Sequence, residues 1–386
     1  MVVSKIKAVL RTKEFIPTVL ALLAIVVMIY LPNNFENPVH KNYIRTTARI
    51  LSVDDSLVHQ AGLISYGEQV CQVEILEGKF KGETVPGINL LAGKLEMDKR
   101  FSPGDTALVL INAQDGDILS KVTLLDHYRL NLELFLVAAF AVLLIGLAGW
   151  LGVRAIISFF FTILAVWKIL IPLILLGYEP ILVGLGVVTI VTVIIVVLVF
   201  GIDRRFFSAV LGSLLGTVIT AFIAFYFVQE FKIHGAVMSF AESLLYSGYS
   251  TINLTHIFIA SIFIASSGAV MDVAVDITAA VNEVVCKKPD IGRLEAIGSG
   301  MTVGRAVIGT MTTTLLLAYS GSYIALLMVF VAQGTPVINI LNLNYVSAEI
   351  LHTMVGSFGL VTVVPFTALT SGLLLAGRKR ADEDSV

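Results

Sequence analysis

Charge is what this 386-residue chain has least of: Asp, Glu, Lys and Arg together make up 14% of it, against about a quarter in an ordinary soluble domain. The two signs nearly cancel, to a formal net charge of -2. That leaves no basic footprint for a nucleic-acid partner, and none is expected. Cysteine is also scarce. Cys71 and Cys286 are the only two; there is no CxxC and no Cys/His cluster at zinc spacing, so no metal centre is expected. The topology argued below puts the two cysteines on opposite sides of a membrane, so they are expected to be separate free thiols. Enzyme motifs are missing too: no HExxH, no GxSxG, no P-loop. Gly298-Ser299-Gly300 has no His nearby to activate the serine. The chain is therefore expected to be neither an enzyme nor a cofactor protein. Any work it does must draw on a gradient or on a separate subunit.

What is present instead is apolar sequence. Hydrophobic residues are 57% of the chain and the mean hydropathy is +0.91. The fold class expected is a polytopic α-helical membrane protein with a small extracytoplasmic β-barrel-like domain. Residues 1–14 carry Lys5, Lys7, Arg11 and Lys13, and Phe15 to Leu31 is apolar. A secretory signal has a core of about 7–15 residues and a small-residue cleavage site. Here the run is longer and Leu31-Pro32-Asn33-Asn34-Phe35 offers no such site. Residues 1–32 read as an uncleaved transmembrane anchor with a cytoplasmic N-terminus.

Residues 33–127 change character. Apolar and polar residues alternate over Ile44–Val53, Glu68–Ile75, Glu83–Ile88, Thr106–Asn112 and Ile118–Leu125, the period of half-buried strands. Turn signals at Glu77-Gly78, Lys81-Gly82, Pro103-Gly104-Asp105 and Asp115-Gly116-Asp117 separate them. Five short strands predict a small barrel of the OB or SH3-like sort. Its aromatics are too sparse for a stacking platform, so docking or gating is the role read for it.

Residues 128–377 read as a bundle. Its spans are Leu130–Leu151, Ala155–Leu176, Ile181–Phe200, Phe207–Val228, Ile257–Val284, Val307–Val331 and His352–Leu375. Each is near the ~20 residues a bilayer requires. With the first helix that makes about eight, and residues 378–386 form a cytoplasmic tail. The positive-inside rule agrees. Arg154, Arg204, Arg205, Lys287, Lys288, Arg293, Arg305 and the tail Arg378-Lys379-Arg380 fall on one side, and only Lys232 on the other. Both termini are then cytoplasmic, in a plasma membrane, and the barrel is outside. Phe231–Asn253 and Val337–Ile350 are amphipathic connections that lie at the interface, re-enter, or form ordinary surface helices. Asp290–Gly304 reads as a short cytoplasmic helix.

The polar residues within the spans carry the functional expectation. Asp272 and Asp276 are four apart, hence on one helix face, with Gly268 and Glu283 on the same side. Acids in a membrane span are costly unless they face protein or water. The alternative is that they lie at the inner aqueous boundary. Ser266-Ser267-Gly268 is the expected break in this long span, and Ser320-Gly321 (with Ser322) is its counterpart in the next. Two interrupted antiparallel spans resemble the broken helices of transporter sites; close small-residue packing is the alternative. Lys168 is the one deep cation, expected to pair with Asp272 or Asp276 or else to snorkel. Thr312 and Thr313 belong to a polar cluster that either faces the site or bonds its own helix. Glu349 and His352 are placed at the outer surface, without a third ligand.

Gly268-Ala269-Val270-Met271-Asp272-Val273-Ala274 with Asn282-Glu283, and Gly304-Arg305-Ala306-Val307-Ile308-Gly309-Thr310-Met311 with Leu317-Ala318-Tyr319-Ser320-Gly321, resemble the YibE/F-like family of bacterial integral membrane proteins. Val73 to Gly82 and Gly104-Asp105 are similar too, so the resemblance runs over nearly the whole chain. It implies a multipass plasma-membrane permease without naming a substrate. The family pattern has an acid after the Gly-Arg pair, where this chain has Ala306. The expected function is secondary transport, ion- or proton-coupled, of a small polar solute or ion through Asp272 and Asp276. The alternative is an accessory or scaffold membrane protein whose outer β domain binds a partner; a membrane enzyme comes third. The partners expected are the lipid bilayer, a small solute or ion, and a membrane-protein partner or a second copy.

Overall fold

The computed structural model describes residues 15–32, 35, 43–112 and 121–376. The basic N-terminal segment, the first residues of the fifth predicted strand and the tail 378–386 lie outside them. The chain forms two compact units, Asn33–Leu147, and Met1–Pro32 with Ala148–Val386. The first boundary falls where the composition changes. The second falls 20 residues past the expected one, because the helix after the barrel, α2 (Leu130–Ala148), groups with the barrel's unit.

In that unit five strands close a barrel in the order β1-β2-β3-β5-β4. They are β1 (Tyr43–Ala61), β2 (Ile64–Ile75), β3 (Thr84–Ala92), β4 (Thr106–Asn112) and β5 (Val122–His127). All pairs are antiparallel except β3 with β5, a Greek-key closure of the OB sort. Period-two burial drives it. Ala107, Val109 and Ile111 point inward from β4 and meet Ala48, Ile50, Val73, Val122 and Leu124. β1 runs eight residues beyond its predicted end. Asp54, Asp55 and Ser56 look like a turn in sequence, yet the strand absorbs them as a bulge between Asp54 and Leu57. The Asp54 carboxylate accepts the Ser56 N–H at 2.9 Å there. Two buried amides pin the β3–β4 loop. Gln69 accepts from the Phe101 N–H at 2.9 Å and donates to the Phe101 carbonyl at 3.2 Å, while Asn89 donates to the Lys99 carbonyl at 2.7 Å.

The other unit is helical. In order come α1 (Phe15–Tyr30), α3 (Trp150–Ala165), a π-helical turn (Val166–Leu170), α4 (Ile171–Leu175), α5 (Pro180–Phe200) and α6 (Arg204–Glu230). A 3-10 turn (Gly235–Val237), α7 (Ala241–Tyr246), α8 (Leu254–Lys287) and α9 (Arg293–Ser320) follow. Next are a second 3-10 turn (Gly321–Tyr323), α10 (Ile324–Ala332), α11 (Val337–Asn342) and α12 (Asn344–Leu375). Among the described residues seven helices are long and apolar enough to cross a membrane, and Ile16–Tyr30 is a shorter apolar helix. The chain is that of a multi-pass membrane protein.

Apolar side chains gain little by leaving lipid, so such helices associate where small residues let backbones meet. α12 is packed this way on three sides. Gly216 of α6 abuts Val363 and Val270; Gly304 of α9 abuts Val364 and Ile277; Gly300 abuts Ala368 and Val281. Helix ends are closed by charge. Asp203 caps the N-terminus of α6. The buried Arg154 donates to the Leu198 carbonyl at 2.6 Å near the end of α5. The π turn has a sequence cause: Pro172 has no N–H to offer the Lys168 carbonyl, and the Ile171 N–H reaches back to Val166 instead.

Three expectations change. α8 is one continuous helix through Ser266-Ser267-Gly268. The serines bond their own turn, Ser266 to the Ile262 carbonyl at 3.1 Å and Ser267 to that of Ile264 at 2.7 Å, so the backbone keeps its ladder. The short helix expected over Asp290–Gly304 is the first part of α9, which places Arg305 inside a long helix and not in a loop. The first amphipathic connection folds as short helical pieces and buries Ile233 and Val237 against α8 and α12, and the second is divided between α11 and the start of α12.

Candidate functional site

The break expected at Ser320-Gly321 exists. α9 stops at Ser320, the backbone tightens into the 3-10 turn, and α10 resumes at Ile324. α10 is nine residues long, about 13 Å at helical rise, too short to span alone. Opposite the break stands the first part of α12. A cavity of about 260 Å³ separates them, lined by Leu316, Ser320, Tyr323, Leu327, Glu349 and Thr353 among others.

Its walls are nearly all hydrocarbon, and Glu349 is the only ionisable acid among the lining residues. One carboxylate oxygen, Oε1, is buried without a hydrogen-bond partner, and so is His352 Nε2 one turn along α12. The His352 ring is held by stacking. It lies 4.6 Å from the Tyr319 ring at 21° and meets the Phe258 ring edge-on at 6.4 Å. Gly356, the next turn, leaves room for Ser266 and Tyr319 to close in beneath. A buried acceptor without a donor carries a cost of roughly 1–3 kcal/mol, more for a charged group. Such a carboxylate can take a proton, a small cation or an N–H donor of a solute.

The residues singled out in the sequence distribute as follows. Ser320 lines the cavity and Gly321 opens its 3-10 turn. Ser267 and Gly268 line a second cavity of about 220 Å³ between α3, α5 and α8, together with Thr162, Thr192 and Met271. Ser266 is buried and bonded to its own helix. Asp272 and Asp276 do share one face of α8, as their spacing requires, but that face is exposed and neither acid lines either cavity. Lys168 is not their partner: its Nζ donates to the Leu31 carbonyl at 3.0 Å, at the end of α1, where unsatisfied carbonyls and the helix dipole favour a cation. Glu283 pairs with Lys287 one turn on, at 2.6 Å. Thr312 bonds the Ile308 carbonyl at 2.9 Å, and Thr313 is exposed. Both cysteines are free, Cys71 buried in the barrel and Cys286 exposed; burial pushes the Cys71 thiol up to about 11.

Sequence reasoning placed Glu349 and His352 at the surface and passed over Tyr319 and Tyr323. The available signal was their spacing. Glu349, His352 and Thr353 fall on one helical face only if the last helix starts well before His352, and it begins at Asn344.

Searches of curated proteins and of solved structures returned no match. A model of the family described as YibE/F-like protein matches residues 136–377. The match takes in most of α2, every long helix after it, both cavities and the acidic face of α8; the barrel lies outside it. Because it covers more than half of the chain, and with it the whole candidate site, this chain belongs to the YibE/F-like protein family.

Proposed function

We propose that the protein is a secondary transporter or permease for a small polar solute or ion, with Glu349 as the group that binds the cation or proton. The observation that carries this reading is Glu349 itself, which lines a cavity of about 260 Å³ beside an interrupted helix and has one buried, unpartnered oxygen. Interrupted helices supply transporter sites because their freed backbone groups can face a solute. The basic residues Arg204, Arg205, Lys287, Lys288 and Arg293 sit at the ends of α5–α6 and α8–α9, and support eight spans with both termini cytoplasmic and the barrel outside. No P-loop exists in the chain, so a gradient would drive transport. The test begins with a thermal-shift screen of purified protein against small cations, amines and amino acids. A hit is then followed as gradient-driven uptake in proteoliposomes. Glu349→Gln should weaken the shift and lower the uptake together; retention of both would remove Glu349 from the mechanism.

The accessory or scaffold reading has its own supporting observation, the exposed charged face of α8 and α9. Deleting residues 40–125 separates the roles. Uptake that survives the deletion confines the barrel to docking.

A further inference from the structure

α9 is the least apolar of the seven long helices, yet only α2 buries less of itself. For α2 this is reasonable, since it carries no charge beyond Glu133. For α9 it is not. Thr302, Arg305, Ala306, Gly309 and Thr313 form its exposed stripe. Beside it the exposed residues of α8 are Asp272, Asp276 and Ala279. An arginine and two aspartates on the outer surface of membrane helices are costly in lipid. Among the described residues none of the three has an ion-pair partner. Something must cover them.

Depth decides what. Gly304 abuts Ile277 and Gly300 abuts Val281, which fixes the antiparallel register of α9 on α8. In that register Arg305 is level with Asp276, Gly309 with Asp272, and Thr302 with Ala279. The level of Asp276 is eleven residues from the end of α8 at Lys287, about 16 Å at helical rise, so these charges are not at a helix terminus. A two-fold axis along the membrane normal keeps every residue at its own depth. It therefore brings Arg305 of one copy to the level of Asp276 of the other, twice over. Gly309 facing Asp272, and Ala279 facing Thr302, leave room for the backbones to approach.

We propose that the exposed α8–α9 face is the interface of a parallel two-fold homodimer, in which Arg305 of each copy meets Asp276 and Asp272 of the other. Both signs lie on one patch at one depth, which is the self-complementarity an isologous interface needs. The proposal does not depend on the Glu349 cavity, and a transport-dead protein can still form the dimer.

The test uses the full-length protein, purified in mild detergent and sized by light scattering. Wild type should run as two copies. Asp276→Arg and Arg305→Asp should each shift it to one copy, and the double variant should restore two. A second measurement needs no charge reversal. Two differently tagged copies, each Cys286→Ser, are co-expressed, one carrying Ala279→Cys and the other Thr302→Cys. Treatment of native membranes with a short bifunctional thiol reagent should link the two tags. A monomeric wild type with no link in membranes overturns the proposal. A dimer indifferent to both single reversals does so as well, since its interface would lie elsewhere.

Discussion

Glu349 and the Asp272–Asp276 pair are carboxylates on neighbouring helices of one bundle, but their surroundings are opposite. Glu349 lines a half-open apolar cavity and keeps one carboxylate oxygen buried without a partner. Asp272 and Asp276 turn theirs away from the chain, beside small residues and an exposed arginine. The difference is set by which helix face carries the acid. α12 packs on α6, α8 and α9 through glycine contacts around Val363 and Val364, so its acid one end further along faces α9 and the break. α8 uses Val270, Val273, Ala274, Ile277 and Val281 for packing, and its acids are left on the opposite side. An acid enclosed by its own chain suits a small occupant; an acid left outside needs a macromolecular cover.

The largest expected effect sharpens that contrast. Glu349→Gln should weaken binding of a cationic or amine solute found in the thermal-shift screen by roughly 10- to 100-fold, from a charged hydrogen bond of about 1.5–3 kcal/mol. Asp276→Asn should leave the same titration unchanged. If Asp276→Asn weakens the binding and Glu349→Gln does not, the two acids exchange roles.

Two glycines of α9, five residues apart, test the packing side. Gly304→Leu would drive a side chain into Val364 and Ile277, an overpacking cost of about 1–3 kcal/mol or more. Gly309 faces open space within the chain. Gly309→Leu should therefore keep the monomer's melting temperature while abolishing the two-copy species. Equal melting losses for both would mean that Gly309 is buried by its own chain. A smaller effect is expected at Lys168. Lys168→Met removes a hydrogen bond to a helix end and should cost about 1 kcal/mol in detergent melting. A loss several times larger, with rescue by Asp272→Asn, would restore the intramembrane ion pair.

How far these faces could be read in the sequence follows from what each residue bonds to. The barrel was legible because strand alternation is local: Ala107, Val109 and Ile111 mark an inward face unaided. The break at Gly321 was legible because glycine weakens a helix interior. The same reasoning failed at Ser266-Ser267-Gly268, where both hydroxyls bond carbonyls of the preceding turn and the helix runs on. Glu349 was missed because α12 begins at Asn344 with no side-chain cap, so nothing local announces that Glu349 is helical. That Asp272 and Asp276 share a face was correct. Which way the face points depends on Val363 and Val364, some 90 residues away.

The smallest effect belongs to the barrel, whose acids are governed by water and not by lipid. Asp98 accepts from the backbone N–H of Ala92 at 2.8 Å and of Lys94 at 2.7 Å. These bonds hold its carboxyl below the ordinary aspartate value. A carboxyl depressed in the folded state binds its proton more readily once unfolded. Its contribution is thus complete above the unfolded pKa and is lost as pH falls through the folded one. Protection of the amides at the end of β3, taken as exchange relative to the intrinsic rate at each pH, should accordingly be high at neutral pH and fall below about pH 4, and in Asp98→Asn it should be lower at neutral pH and flat across that range. The glycine-packed helices present no such hydrogen-bonded surface carboxylate at Gly304 or Gly216, and their exchange should not follow the same acid step. An acid step shared by both regions would mean that they open together, and would erase the distinction between an acid answered by backbone in water and one that waits for a partner in the membrane.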